Sequence, residues 1–81
     1  MSKWYVYILE CKDKSLYTGI TNNLNKRFEA HKSGKGSKFV RSRKAKKIIH
    51  SEVFRSKSRA LQRECEIKAL TRSSKLELIG S

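Results

Sequence analysis

The side chains of this 81-residue chain best suited to chemistry are Tyr5, Tyr7, Tyr17, Arg27, His31 and Glu64. Arg27 and His31 are four residues apart, one helical turn, so they can converge on one small object. The arginine fork matches phosphate oxygens, and histidine can donate to a phosphate or exchange a proton near neutrality. The same pair could equally be a solvated arginine beside a half-buried histidine. Glu64 falls inside an apolar stripe expected from Ala60, Leu61, Ile67 and Leu70. A carboxylate there is costly unless it is paired, hydrogen-bonded or bound to a metal. Lys68, four residues on, offers an ion pair as the plain alternative. Glu66 lies two residues from Glu64 and points to another side of the helix, so a two-carboxylate, two-metal site is unsupported. One hard cation held by a carboxylate, waters and a substrate phosphate is feasible.

These residues need elements to hold them. Trp4-Tyr5-Val6-Tyr7-Ile8-Leu9 is apolar on both alternating faces, which predicts a central strand covered on both sides. A polar turn over residues 11–15 and a second strand at Leu16-Tyr17-Thr18-Gly19-Ile20 complete a hairpin. Period-two alternation puts Tyr5 and Tyr7 on one face of the first strand, and Tyr17 and Gly19 on one face of the second. Thr21-Asn22-Asn23 reads as a cap for a helix from Leu24 to His31. Ser33-Gly34-Lys35-Gly36-Ser37 is expected to be a mobile loop, with room for a short helical turn at Lys38–Arg41. A third strand is predicted from Lys47 to Phe54. Ser56 then caps a helix over Lys57–Leu70, and Thr71 starts a last one through Ile79 that buries Leu76 and Ile79. The order β-β-α-β-α-α implies an α+β fold, a three-stranded antiparallel sheet flanked by helices, in one domain over residues 1–81.

The charge narrows the partner. Lys and Arg number 20 against 7 Asp and Glu, a net +13, which favours a polyanion. The stretch from Lys32 to Lys47 carries eight of these cations and no acid. Lys32, Lys35, Lys38, Arg41, Arg43 and Lys44 are its candidate nucleic-acid contacts. No apolar run approaches the roughly 20 residues that cross a bilayer, and Met1-Ser2-Lys3-Trp4 passes straight into a strand without a signal-peptide pattern. Cys11 and Cys65 lack metal-ligand spacing and are expected to stay reduced, so the expected setting is the cytoplasm.

Tyr5-Val6-Tyr7, then Tyr17-Thr18-Gly19-Ile20-Thr21-Asn22-Asn23-Leu24, then Arg27, His31 and Ala60-Leu61-x-x-Glu64 resemble the ordered motifs of the GIY-YIG nuclease superfamily. The resemblance is closest to its small stand-alone bacterial branch. It spans roughly residues 4 to 79. It implies a DNA-cleaving site, with Tyr7 at the end of the first half-motif and Tyr17 at the start of the second. Arg27 matches the phosphate-binding arginine, His31 a position held by His or Tyr, and Glu64 the single metal-binding glutamate. Tyr5, Gly19 and Asn23 match structural positions of the motif. The pattern is departed from in places: Tyr5 stands for a Gly, Ile20 for a Lys, no Asn follows Glu64, and Lys14 stands where a turn Gly would suit. Arg59 occupies a first helical turn that an acid would complement better.

The resemblance therefore implies phosphodiester hydrolysis with a single Mg2+ or Mn2+, held by Glu64 and present with substrate. Arg27 would neutralise growing charge, and Tyr7 or Tyr17 would orient or deprotonate water. General-base action needs a phenol pKa lowered by Arg27 and the metal, and His31 could relay the proton. No base-reading module is visible, so structure preference or a targeting protein partner is expected rather than sequence preference. The partner is DNA, with RNA open, and the chain is expected to be monomeric. Two other readings stay open: a non-catalytic basic module that binds DNA or RNA, and a ribosome-associated RNA-binding protein.

Overall fold

A computed structural model describes residues 3–80. The readings that rest on Met1, Ser2 and Ser81 lie outside the described residues. The first strand, β1 (Trp4–Cys11), pairs antiparallel with β2 (Leu16–Thr21) on one side and with β3 (Ala45–Phe54) on the other, giving the order β2-β1-β3. β1 is thus the central strand, and its doubly apolar sequence is explained: Val6, Tyr7, Ile8 and Leu9 are all buried. Four helices complete the fold: α1 (Leu24–Lys32), α2 (Lys38–Arg43), α3 (Lys57–Lys68) and α4 (Arg72–Leu78). The expected α+β architecture is observed, with the short turn near residue 38 grown into α2.

Alternation along β1 divides the core. Val6 and Ile8 pack with Ala60 and Ile67 of α3, and with Leu78 and Ile79 around α4. Tyr7, Leu9 and Cys11 pack with Val40 of α2, and with Leu24 and Phe28 of α1. Each fully buried aliphatic side chain contributes about 1.5–3 kcal/mol, so these few residues carry much of the stability of so small a fold. A bulge between Ile8 and Leu9 lets Ile49 enter the α3 core while His50, opposite Ile8, turns to the same face. Glu52, two residues on, there accepts two hydrogen bonds from Arg63 of α3, at 2.9 and 3.2 Å, and one contact from His50 at 2.8 Å. This bidentate pair ties α3 to the edge strand.

Local chemistry explains the helix ends. Side chains of Asn23, Ser37, Ser56 and Thr71 accept from the backbone N–H groups of Lys26, Val40, Arg59 and Ser74. α1 ends in a Schellman arrangement, with Gly34 N–H donating to His31 and Lys35 N–H to Ala30. Residues 33–37 thus begin in the hydrogen bonds that close α1 and end in the Ser37 cap of α2.

Three further expectations need correction. Leu61 and Leu70 are exposed, at 41% and 37%, so the buried stripe of α3 is Ala60 and Ile67 alone. Leu76 is exposed at 45%, and Leu78 with Ile79 takes its place against the core. α3 also stops at Lys68 rather than reaching Leu70. Lys14 does adopt the positive φ, 69°, for which glycine would be better suited. Among the described residues, no helix is long and apolar enough to cross a membrane.

Candidate active site

Tyr7 and Gly19 are register partners on β1 and β2, and the Tyr7 ring lies across the glycine. A Cβ on residue 19 would stand 2.7 Å from the Tyr7 hydroxyl and 3.1 Å from the Tyr17 ring. Glycine is required here by close approach rather than by an unusual φ. The Tyr7 hydroxyl meets Nε2 of His31 at 2.9 Å, which joins the sheet to the last turn of α1. Tyr17 stands over the same place, with its centroid 6.3 Å from Tyr7 and, edge-on, 5.4 Å from His31. Gly36 closes the far end of the imidazole: any Cβ there would collide with Nδ1 of His31. That nitrogen is buried and makes no hydrogen bond among the described residues.

The charges act on this cluster in opposing directions. Burial, chiefly, then the neighbouring Tyr17 raise the Tyr7 phenol well above its ordinary 10.0; Glu64 raises it a little further, and Arg27 pulls it down. Arg27 and Glu64 thus both stand close enough for their charges to be felt at the same hydroxyl. Burial lowers the His31 pKa from 6.5, and the Arg27 charge adds to that, so the imidazole is neutral near pH 7. Arg27 pulls the Tyr7 pKa down as expected, but without a metal ion desolvation outweighs it and the phenol stays protonated. The sequence carried no signal for this beyond the doubly apolar strand.

The elements reach the cluster from different directions. Arg27 is exposed on α1, and it lines a hollow with Thr21, Asn23 and Lys26. Tyr5 shares the Tyr7 face and lines a neighbouring hollow with Asn22 and Asn25. Asn23 is the α1 cap, held by backbone and side-chain bonds with Thr21. Glu64 comes from α3, whose buried residues cover the opposite face of the sheet, but α3 crosses β1 and the edge strand β2. The charge of Glu64 is the weakest of the four influences on the Tyr7 hydroxyl. Its carboxylate is mostly shielded, 16% exposed, and its ion-pair partner is Lys68 at 3.6 Å. That lysine is 54% exposed, so the pair is loose and leaves most of the carboxylate's acceptor capacity free. Among the described residues, no three His, Cys, Asp or Glu gather as a metal cage.

The basic stretch is only partly free. Arg43 pairs with Asp13 at 3.4 Å and stacks 4.0 Å over the Phe39 ring. Lys46 reaches Glu10 at 3.8 Å. Lys32, Lys35, Lys38, Arg41 and Lys44 have no carboxylate within ion-pair distance among the described residues. Lys12, which sequence reading passed over, joins Lys44 through its backbone N–H at 2.9 Å. Only the antiparallel closure of β1 on β3 brings it there.

Comparison with known proteins gives a consistent result. A family model described as the GIY-YIG catalytic domain matches residues 3–77. The chain is 56% identical over 77 residues to the UPF0213 protein CPE1444 of Clostridium perfringens, covering 95% of this chain and 83% of that one. It is 54% identical over 80 residues to a UPF0213 protein of Syntrophus aciditrophicus, covering 98% and 92%. The solution NMR structure of the UPF0213 protein BH0048 from Bacillus halodurans superposes with a TM-score of 0.61 at 44% identity, covering 95% of this chain and 82% of that one.

Proposed function

Because this chain belongs to the GIY-YIG family, we propose that it is an endonuclease that hydrolyses DNA phosphodiester bonds with one Mg2+ or Mn2+ ion, in DNA repair or recombination. The domain itself implies nuclease chemistry; the substrate, ion and pathway are the finer reading. The observation that carries it is the packing of Tyr7, Tyr17 and His31 into one cluster, with the charges of Arg27 and Glu64 acting on the Tyr7 phenol.

The donor set fits the ion. One shielded carboxylate with a loose partner suits a hard cation that keeps several waters and takes substrate oxygens for the rest of its shell. Glu64 would hold it. When bound, it supplies positive charge to a non-bridging phosphate oxygen and to the departing 3′ oxygen.

Burial divides the other roles. Tyr7 and His31, 1% and 3% exposed, are positioning residues. The neutral imidazole and the protonated phenol lock one another, and so set the platform on which Tyr17 stands. Tyr17 is half-buried, which leaves its hydroxyl open to orient the attacking water. Arg27, exposed on α1, would neutralise charge that grows on the phosphate. The water oxygen bonds phosphorus, the bond to the 3′ oxygen breaks, and the proton leaves toward solvent. Lys32, Lys35, Lys38, Arg41 and Lys44 would hold the strand without reading bases, so structure preference, or recruitment by a partner protein, sets the target. The reading includes a monomer in the cytoplasm, where Cys11 and Cys65, both free thiols, stay reduced.

The test is to incubate purified protein with labelled single-stranded, duplex, flap and four-way DNA, with and without Mg2+ or Mn2+, beside Glu64→Ala. Metal-dependent cutting of at least one substrate, lost in the variant, supports the reading. Equal cutting by both proteins, or none by either, removes it and leaves a basic nucleic-acid-binding module.

A further inference from the structure

His31 has a second neighbourhood. The same residue also lines a depression of about 490 Å3 whose charged walls are Lys12, Lys32, Arg41, Lys44 and Lys46, with no carboxylate among the lining residues. These lysines and the arginine come from the β1–β2 turn, the end of α1, α2 and its cap, and the start of β3, so folding gathers them. Lys46 is offset by Glu10, while the other four have no ion-pair partner among the described residues. Five cations around one concavity repel each other, and an anion seated there relieves the repulsion.

The backbone adds an independent reason to see a built feature. Lys44 stands at φ 67°, in the left-handed region that glycine occupies without cost. A lysine at that position keeps a cation on the rim against local strain, while its carbonyl accepts the Lys12 N–H at 2.9 Å and so draws the turn to the same rim.

We infer that this depression seats a backbone phosphate of the DNA strand, the neighbour of the phosphate held by Tyr17, Arg27 and Glu64. The inference rests on the proposed function for that second phosphate. His31 is the link: its ring bonds the Tyr7 hydroxyl and the same residue lines the depression, so the two phosphate places adjoin one residue of α1. The smallest ligand that satisfies both places therefore has two phosphodiesters, and the depression fixes which bond of a strand meets Tyr17.

Metal-free binding separates this from catalysis. A thymidine dinucleotide with one phosphodiester and a trinucleotide with two are titrated into the isotopically labelled protein, followed by amide shifts. The wild type binds the trinucleotide about tenfold more tightly, the worth of one charge-assisted contact. In Lys12→Gln/Arg41→Gln the ratio falls to about two, the statistical value for two registers. Lys57→Gln, the same kind of charge loss on α3, keeps the tenfold ratio, and the spectra report that each variant folds. A wild-type ratio near two, an unchanged ratio in the double variant, or an equal fall in Lys57→Gln overturns the inference. Cutting with a ratio near two removes the depression alone; a tenfold ratio without any cutting removes the nuclease reading alone.

Discussion

Tyr7 bears the heaviest demands of any residue here, since its hydroxyl must satisfy His31 while its ring fits over Gly19. Gly19→Ala should push a methyl against that hydroxyl and cost about 1–3 kcal/mol by overpacking. Thermal unfolding measures the loss, and an amide spectrum should show the disturbance spreading to His31. Tyr7→Phe acts by a different route: it leaves Nε2 of His31 without a partner and should also cost about 1–3 kcal/mol, with the fold intact. His31 gives a pH prediction. Its folded pKa is depressed by burial, so below 6.5 the unfolded chain takes up a proton that the folded chain refuses. Stability should therefore fall as pH drops from 6.5, and His31→Gln should flatten that part of the curve. At this scale the sequence was informative: Arg27, His31 and Glu64 were singled out by spacing or by misplacement in a stripe. It did not reveal that Tyr7 is raised rather than lowered, because desolvation depends on what packs over a side chain, and spacing does not report that.

The elements are held together by a few specific contacts. Glu52 and Arg63 join β3 to α3, the helix that carries Glu64. The Arg63 and His50 contacts outweigh burial and hold the Glu52 carboxyl below its ordinary 4.5. Its stabilising contribution is present above 4.5 and is lost as pH falls through the depressed folded value. Urea titrations at pH 6 and pH 3 should show this loss, and Glu52→Gln should remove much of the difference. Strands and caps were readable from apolar runs and from Asn23, Ser56 and Thr71. The stripe of α3 was not, because Leu61 lies on the exposed side of α3 and Leu70 falls beyond its end, exposed as well. In residues 33–37, glycine and serine suit a loop, and they also suit the Schellman end and the helix cap found there, which composition alone does not distinguish.

For the whole molecule, a net charge of +13 announces a polyanion without saying which cations meet it. Arg43 is held by Asp13, so five of the six expected contacts have no ion-pair partner among the described residues. For duplex DNA, log K should fall against log salt with a slope of about −4.5. Fluorescence titrations at several salt concentrations give that slope directly, and one near zero would break the link between charge and partner. The central claim is that an arginine on α1 and a glutamate on α3 serve one phosphate beside Tyr17. The most direct test is single-turnover cleavage of one DNA substrate by wild type, Arg27→Gln, Glu64→Gln and the double variant. Each single change should slow cutting by about 10²–10³-fold, and the double variant should lose much less than the product of the two. Undiminished cutting by Glu64→Gln, or losses that simply multiply, would show that the two residues do not share a site.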